Sequence, residues 1–167
     1  MSYEPELPPR PVVPDQALAG YWQRLLGFGI DIFLLLGITV GAAVLTGLEG
    51  DEIREPATWP TSLRIGQFIL VGLYYVILTG WRGETLGKMA AGTRVVGATT
   101  GVIPTWPAVT VRWAVVGIAG VLPIPFLSVL VYVFVLLDPR RRGLHDMAAR
   151  TLVVDVRRYR VPEVIDE

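Results

Sequence analysis

Three long stretches of this 167-residue chain carry almost no charge. Residues 25–48 contain one formal charge, Asp31, and residues 65–81 and 113–137 contain none. At about 1.5 Å per residue, the first stretch makes roughly 36 Å of helix, enough to cross a ~30 Å hydrocarbon layer. A soluble domain of this size has too little polar surface to cover three such stretches. The pattern therefore predicts a polytopic membrane protein whose first partner is the lipid bilayer.

Composition excludes several other classes of protein. The chain has 15 basic and 15 acidic side chains. It therefore lacks the net positive charge that would favour nucleic-acid binding. It contains no cysteine, which excludes disulfides, thiolate metal sites and cysteine nucleophiles. The single histidine has no carboxylates at ligand spacing that would complete a zinc site. We therefore expect no nucleic-acid partner, no metal, no cofactor and no enzymatic activity.

The two ends of the chain differ in composition from its middle. Five prolines interrupt residues 1–20, which show no apolar periodicity and are interpreted as a disordered, Pro-rich tail. Residues 157–167 form a short charged tail. All five tryptophans lie near the boundaries of the apolar stretches, as in interfacial aromatic belts. We therefore assign the membrane domain to residues 21–156.

An internal repeat follows the second and third apolar stretches. Residues 85–96 and 143–154 align without a gap and share seven of twelve residues. Each copy predicts a short helix followed by a β-branched run, at residues 93–98 and 151–156. A lone strand would leave its backbone unpaired, so we expect the two runs to pair in a small sheet outside the bilayer.

Pairing of the strands constrains the topology, because the third apolar stretch must then cross twice or enter the bilayer and return. Pro123 and Pro125 suit a turn between half-helices at residues 106–122 and 126–137. Whether this hairpin crosses fully or is re-entrant stays open. Residues 49–64 hold four acidic and two basic side chains, whereas the segments after the second and third stretches are rich in arginine. The positive-inside rule therefore predicts a multi-pass cell-membrane protein with both termini and the repeat in the cytoplasm.

The expected fold class is an all-α membrane protein, a small transmembrane helical bundle. It comprises two spans and a Pro-broken helical hairpin, with a short two-stranded cytoplasmic β element. Gly37 and Gly41 in the first span form a small-xxx-small pattern that favours close helix contact, within the chain or between subunits.

Asp31 is the most informative polar residue, because a charge in the middle of a spanning helix costs about 2.5–3.5 kcal/mol. Arg24 precedes Asp31 by two turns, roughly 10 Å along the helix axis. This separation disfavours a direct ion pair between the two side chains within the helix. Arg112 and the arginines at 140–142 are candidate partners from other helices. Asp31 is either a carboxylate that binds a proton or cation, or half of a buried ion pair that fixes helix packing.

The second repeat copy carries Asp146 where the first carries Lys88, which predicts a Lys88–Asp146 contact between the copies. The alternative partners of Asp146 are Arg24 and Arg150 at the membrane surface. His145 is interpreted as a hydrogen-bonded surface residue rather than a ligand.

A second group of residues is assigned structural or topological roles. The basic run at a membrane end could attract anionic headgroups, but the topology signal accounts for it. The structural candidates are Arg112, Lys88, Arg140, Arg141, Arg142, Gly37 and Gly41.

Three segments of the chain resemble the RDD family of membrane proteins, which is named for one arginine and two aspartates. The opening YWQRLLGFGID places the family arginine on Arg24 and the first aspartate on Asp31. GETLGK and RVV, within residues 83–96, resemble the middle motif. RGLHDMAART at residues 142–151 resembles the closing motif and places the second aspartate on Asp146.

The resemblance covers residues 21–156 and implies a mainly bacterial membrane family. A transport role is suggested for this family, some members are linked to sodium–proton exchange, and others act as accessory parts of larger assemblies. We therefore expect translocation of a cation, proton or small ligand that uses Asp31, with Arg24 and Asp146 as further candidate ligand- or ion-binding residues. The alternative is a non-catalytic accessory or assembly subunit of a larger membrane complex. Because four short helices make a thin wall around a pathway, we expect a homo-oligomer or association with other membrane subunits.

Overall fold

Two long helices form the frame of the molecule in the computed structural model, which describes residues 12–121 and 130–162. Helix α1 covers Tyr21–Leu45, the one-turn helix α2 covers Asp51–Arg54, and helix α3 covers Thr61–Arg82. Helices α1 and α3 are both long and apolar enough to cross a membrane. The first two predicted helical stretches are therefore confirmed, and each begins about one turn earlier than its apolar run.

The connection between α1 and α3 carries four acidic side chains, at positions 49, 51, 52 and 55. Helix α2 and a 3-10 turn at Pro56–Thr58 fold around Trp59, whose indole N–H donates to the Glu52 carbonyl at 2.8 Å. Trp59 is buried as a result, which keeps this short loop compact.

Helix α5, Trp106–Val121, packs along α3 through contacts between glycines and aromatic rings. A side-chain carbon added at Gly72 would lie 2.6 Å from the Trp113 ring, and one added at Gly80 would collide with the Trp106 ring. The contacts run backwards along α3 as α5 advances, so the two helices are antiparallel.

The first predicted half-helix is confirmed as α5. The predicted turn at Pro123 and Pro125 lies outside the described residues. The described chain resumes at residue 130, is helical to residue 133, and continues in a 3-10 turn at Phe134–Leu136.

Both repeat copies fold as a short helix followed by a strand. Helix α4 covers Leu86–Ala90 and leads into strand β1 at Thr93–Gly97. Helix α6 covers Leu144–Ala148 and leads into strand β2 at Thr151–Asp155. Helix α4 packs on α1 and helix α6 packs on α5.

The two strands pair with each other, as the repeat predicts. They form an antiparallel two-stranded sheet in which Val95 faces Val153 across the ladder. The turn before each strand contains a residue with left-handed backbone, Gly92 with φ 65° and Arg150 with φ 51°, at equivalent repeat positions. The copies therefore share backbone conformation as well as sequence.

The segment before α1 is packed against the sheet. Val13 and Leu18 are 0% and 2% exposed and join a core cluster with Leu152 of β2. The Ala19 N–H donates to the Val153 carbonyl at 2.9 Å, which extends the sheet by one partner.

The prediction of a disordered tail over residues 1–20 is therefore wrong for residues 12–20, while residues 1–11 lie outside the described residues. The 3-10 turn at Asp15–Ala17 is too short to produce an apolar period. Its core partners lie on β2, near the opposite end of the chain, so no local pattern reports them.

The first residues of the predicted charged C-terminal tail are also ordered. The Tyr159 hydroxyl donates to the Gly101 carbonyl at 3.1 Å, and Val161 packs against the same core cluster as Leu18.

A Leu18→Ala variant tests the packing of the segment before α1. Removal of this buried side chain should lower the free energy of unfolding by about 2–5 kcal/mol, because it leaves a cavity against the sheet. The control Val12→Ala alters a side chain that is 55% exposed and should change the free energy by less than ~0.5 kcal/mol. Denaturant titration in detergent micelles measures both, and equally small effects would contradict the packed arrangement.

Candidate functional site

Asp31 lies on the buried stripe of α1 and is completely enclosed. Its Oδ1 accepts hydrogen bonds from the Tyr74 hydroxyl at 2.6 Å and the Gly87 N–H at 2.8 Å. Its Oδ2 accepts one from the Thr85 hydroxyl at 2.5 Å, and Lys88 Nζ lies 3.8 Å from the same oxygen. The carboxylate is thus surrounded by three neutral donors and one cation, supplied by α3 and the start of α4.

Two glycines allow α4 to approach α1 closely enough for these bonds. A side-chain carbon added at Gly87 would collide with the Gly27 carbonyl and lie 2.7 Å from the Asp31 carboxylate. Thr85 caps α4, since its hydroxyl accepts from the Lys88 N–H at 3.3 Å. The sequence Thr-Leu-Gly-Lys therefore places a hydroxyl, a bare backbone N–H and an ammonium around one carboxylate.

Asp146 occupies the equivalent position to Lys88 in the second repeat copy and is also fully buried. Arg112 of α5 forms a close ion pair with its Oδ1, and Arg24 Nη1 lies 3.4 Å from its Oδ2. The Gly143 N–H donates to Oδ2 at 3.1 Å. The Thr151 hydroxyl lies 3.3 Å from Oδ1 and accepts a hydrogen bond from Arg112 at 2.9 Å. Two arginines thus share one carboxylate.

The observed partner of Asp31 differs from the predicted ones. Neither Arg112 nor the arginines at 140–142 contact it, and Lys88 is the nearest cation. The prediction is wrong because the buried stripe of α1 faces α4, whereas Arg112 faces α6.

The predicted Lys88–Asp146 contact is also wrong, and the alternative pairing of Asp146 with Arg24 is confirmed. Arg150 is exposed at the surface. Each repeat helix packs against a different long helix, so the side chains at the two equivalent positions turn toward α1 and α5 and not toward each other.

The three arginines at 140–142 have structural contacts that the topology signal does not report. Arg142 forms a two-point pair with Asp138, with N–O distances of 2.9 and 2.8 Å. This hydrogen-bonded pair lowers the pKa of Asp138 and raises that of Arg142. Arg140 and Arg141 donate to backbone carbonyls of the packed segment before α1, at 2.9 and 3.3 Å.

His145 is buried, contrary to the prediction of a surface residue. It is 6% exposed, its ring centroid lies 5.4 Å from that of Tyr132, and its Nδ1 has no hydrogen-bond partner among the described residues. Burial lowers the pKa of His145 well below its usual value, and the charges of Arg112 and Lys88 lower it further. The imidazole is therefore neutral at physiological pH.

A cavity of about 110 Å³ lies among helices α1, α3, α4, α5 and α6, the sheet, and residues 132–135. Burial, followed by the charge of Arg112, lowers the pKa of Lys88 to about 8, against the opposing effect of Asp31. The polar and aromatic side chains around the cavity are those of Arg24, Lys88, Arg112, Asp146, His145, Tyr75, Tyr132, Thr79, Thr93 and Trp113.

Gly37 and Gly41 lie on an open face of α1. A side-chain carbon added at either glycine would have no atom within 4 Å. The helix contact that this pattern favours is therefore not made within the part of the chain that the structure describes.

Tyr74, Thr85 and Tyr132 are among the residues of the site that were not identified from the sequence. Thr85 had a usable signal, since it is a threonine before a helix where the second copy has Gly143. Tyr74 and Tyr132 had none, because their contacts depend on how α3 and the segment after residue 130 pack on other helices.

Comparisons with known proteins agree with the motif analysis. The model of the RDD family matches residues 18–150, a span that includes every charged residue of the buried cluster. The chain is 27% identical over 146 residues to the uncharacterized membrane protein YteJ of Bacillus subtilis (strain 168). The aligned region covers 86% of this chain and 85% of that protein. No solved structure matches the chain.

A double-mutant cycle with Arg112→Met and Asp146→Asn tests the second ion pair. Asp146→Asn alone should destabilise the protein by about 3–5 kcal/mol, because it leaves buried arginines without a counter-ion. The coupling energy of the cycle should reach about 1–3 kcal/mol. A matched cycle with Arg150→Met in place of Arg112→Met should give a coupling near zero. Similar coupling in the two cycles, measured by denaturant unfolding in micelles, would contradict the observed pairing.

Proposed function

The chain belongs to the RDD family of membrane proteins, and we propose that it is a non-enzymatic transport protein whose ligand site is the charged cavity described above. The ligand is a small ion or molecule, since the cavity is of the order of a few water molecules in volume. One chain provides few helices to enclose a pathway, so the proposal includes a homo-oligomer or association with other membrane subunits.

The observation that carries this proposal is the group of buried charged side chains around a cavity where the helices meet the repeat. Ionisable residues at such positions are energetically costly and mark ligand or ion pathways by default. Among the residues of the wall, Arg24 belongs to α1, Thr79 belongs to α3, and Trp113 and Val116 belong to α5. Lys88 and Asp146 are among those that belong to the repeat.

The proposed orientation places the sheet and both termini in the cytoplasm. The segment before α1, the end of α3 and the residues after β2 all contact the sheet. Together with the repeat copies and residues 140–142, these segments carry most of the arginines, whereas the loop between α1 and α3 is acidic. The positive-inside rule supports this orientation.

We assign Asp31 a positioning role within this proposal, in place of direct ion binding. Its oxygens already accept three hydrogen bonds and face an ammonium, so no free lone pair is directed into the cavity. Asp31 acts through Lys88, whose side chain it holds at the cavity wall.

A Val116→Phe variant tests the cavity as the pathway. The larger side chain should fill the cavity and abolish ion-dependent flux. The control Ile118→Phe alters a residue of the same helix that is 60% exposed, and it should leave the flux intact. Proteoliposomes with an imposed pH gradient, in which Na⁺, K⁺ and Cl⁻ are varied in turn, measure this flux. The proposal would be overturned if wild-type protein carried no flux, or if both variants carried the wild-type flux.

A second candidate function is that of an assembly subunit, which the bare face of α1 favours. A shallow apolar groove runs along this helix beside Gly29. Gly37 and Gly41 continue the same face, where an added side-chain carbon would meet no atom of the described residues within 4 Å. Small residues allow another membrane helix to approach closely. The groove is formed by Trp22, Leu25, Leu26, Gly29, Ile30, Phe33 and Leu34.

Substitution of both Gly37 and Gly41 by leucine tests assembly through α1. The two side chains should block close approach of a second helix and abolish energy transfer between labelled copies in liposomes. Gly66→Leu is the control, since Gly66 on α3 also has no atom within 4 Å of an added side-chain carbon. Unchanged energy transfer in the double variant would rule out self-association through this face.

A further inference from the structure

We infer that the cavity binds a small monovalent anion. Three cationic side chains, Arg24, Lys88 and Arg112, surround it, while Asp146 is the one carboxylate among its described lining residues. The inference rests on the proposed function, because it takes the cavity as the ligand site and specifies the chemical class of the ligand.

The charge count of the buried cluster gives a surplus of one positive charge. Arg24 and Arg112 share Asp146, and Lys88 faces Asp31, so three cations meet two carboxylates. A buried net charge of this kind is costly unless a counter-ion accompanies it. One monovalent anion neutralises the cluster, whereas a bound cation would double the surplus.

The residues around the cluster do not remove this surplus. Asp138, a further carboxylate whose charge acts on Arg24, is held by Arg142 through two hydrogen bonds, while Arg141 adds positive charge. His145 is neutral, and phenols such as those of Tyr75 and Tyr132 are uncharged near neutral pH.

The cluster also contains a hydrogen-bond donor without an acceptor. Arg24 Nε is buried and has no partner among the described residues, although the two terminal nitrogens of the same guanidinium are bonded. Leaving a buried donor without an acceptor is unfavourable, and more so when the donor group is charged. An anion in the cavity would supply the missing acceptor.

The size of the cavity restricts the anion. A volume of about 110 Å³ corresponds to the space of three or four water molecules at ~30 Å³ each. Chloride, nitrate and acetate fit this limit, whereas sugar acids and nucleotides exceed it.

The ammonium of Lys88 makes anion binding depend on pH. Its pKa of about 8 means that the charge is present at neutral pH and is lost as the pH rises above 8. Loss of that charge cancels the surplus, so the affinity for an anion should fall over this range. Lys88 faces Arg24 and Asp31 on α1, Tyr75 on α3, Arg112 on α5, and His145 and Asp146 on α6.

Calorimetric titration of the purified full-length protein in micelles with sodium nitrate tests the inference. Sodium gluconate, whose anion is too large for the cavity, controls for the cation. Nitrate should bind and gluconate should not.

Lys88→Met should weaken nitrate binding by about 100-fold, the loss expected when one charge about 6 Å away is removed at an effective dielectric constant of ~20. Arg82→Met, which removes an exposed charge outside the cavity, should leave the affinity unchanged.

Lys88→Arg distinguishes a lost charge from a lost fold. It should retain nitrate binding and remove the fall in affinity above pH 8, because a guanidinium stays charged there. This comparison applies even if Lys88→Met fails to fold. Nitrate should also raise the pH at which the amine of Lys88, the single lysine of the chain, titrates in ¹⁵N NMR spectra.

Two outcomes would overturn the inference: absence of nitrate and acetate binding in folded protein, or equal affinity in wild type and Lys88→Met. Failure of the proposed function has a different signature. Anion binding without flux in liposomes would refute transport and leave the anion site, whereas cation flux without anion binding would refute the anion site and leave transport.

Discussion

Buried charges at the junction between the long helices and the repeat must be paired, because an uncompensated ion there is penalised by several kcal/mol. Asp31 meets this requirement through Lys88 and three neutral donors, and Asp146 meets it through two arginines. Apolar helices in lipid can slide past one another at little cost, since lipid tails are as apolar as leucine side chains. The ion pairs remove that freedom by joining α4 to α1 and α6 to α5. Strands β1 and β2 follow α4 and α6 after short turns, so this docking also brings the strands together.

The repeat uses one backbone design with opposite charges at one position. Lys88 of the first copy meets an acid on α1, and Asp146 of the second copy meets a base on α5. Two such pairs would be neutral. Arg24, which also binds Asp146 from α1, is the additional cation, and it is the residue that matches the arginine of the family name. The surplus charge of the cavity therefore arises from Arg24.

Much of the frame could be predicted from local sequence. Long uncharged stretches define α1, α3 and α5, and the repeat predicted a pair of strands that the structure contains. The buried status of Asp31 followed from its position in an apolar helix. Its partner did not, because Tyr74 and Lys88 reach it only through the rotation of α1 against α3 and α4. The packing of Leu18 on β2 was missed for the same reason, since contacts between distant segments leave no periodic pattern.

The docking of α4 on α1 depends on the pairing of Lys88 with Asp31. Because Lys88 is the single lysine, ¹⁵N-labelled lysine reports on this side chain alone in solid-state NMR of the protein in lipid. Dipolar dephasing of ¹³C-carboxyl-labelled aspartate by this nitrogen measures the contact, for which the N–O distance is 3.8 Å. The structure predicts dephasing that disappears in Asp31→Asn and persists in Asp146→Asn. Dephasing that persists in Asp31→Asn and disappears in Asp146→Asn would show that Lys88 pairs with Asp146 and not with Asp31.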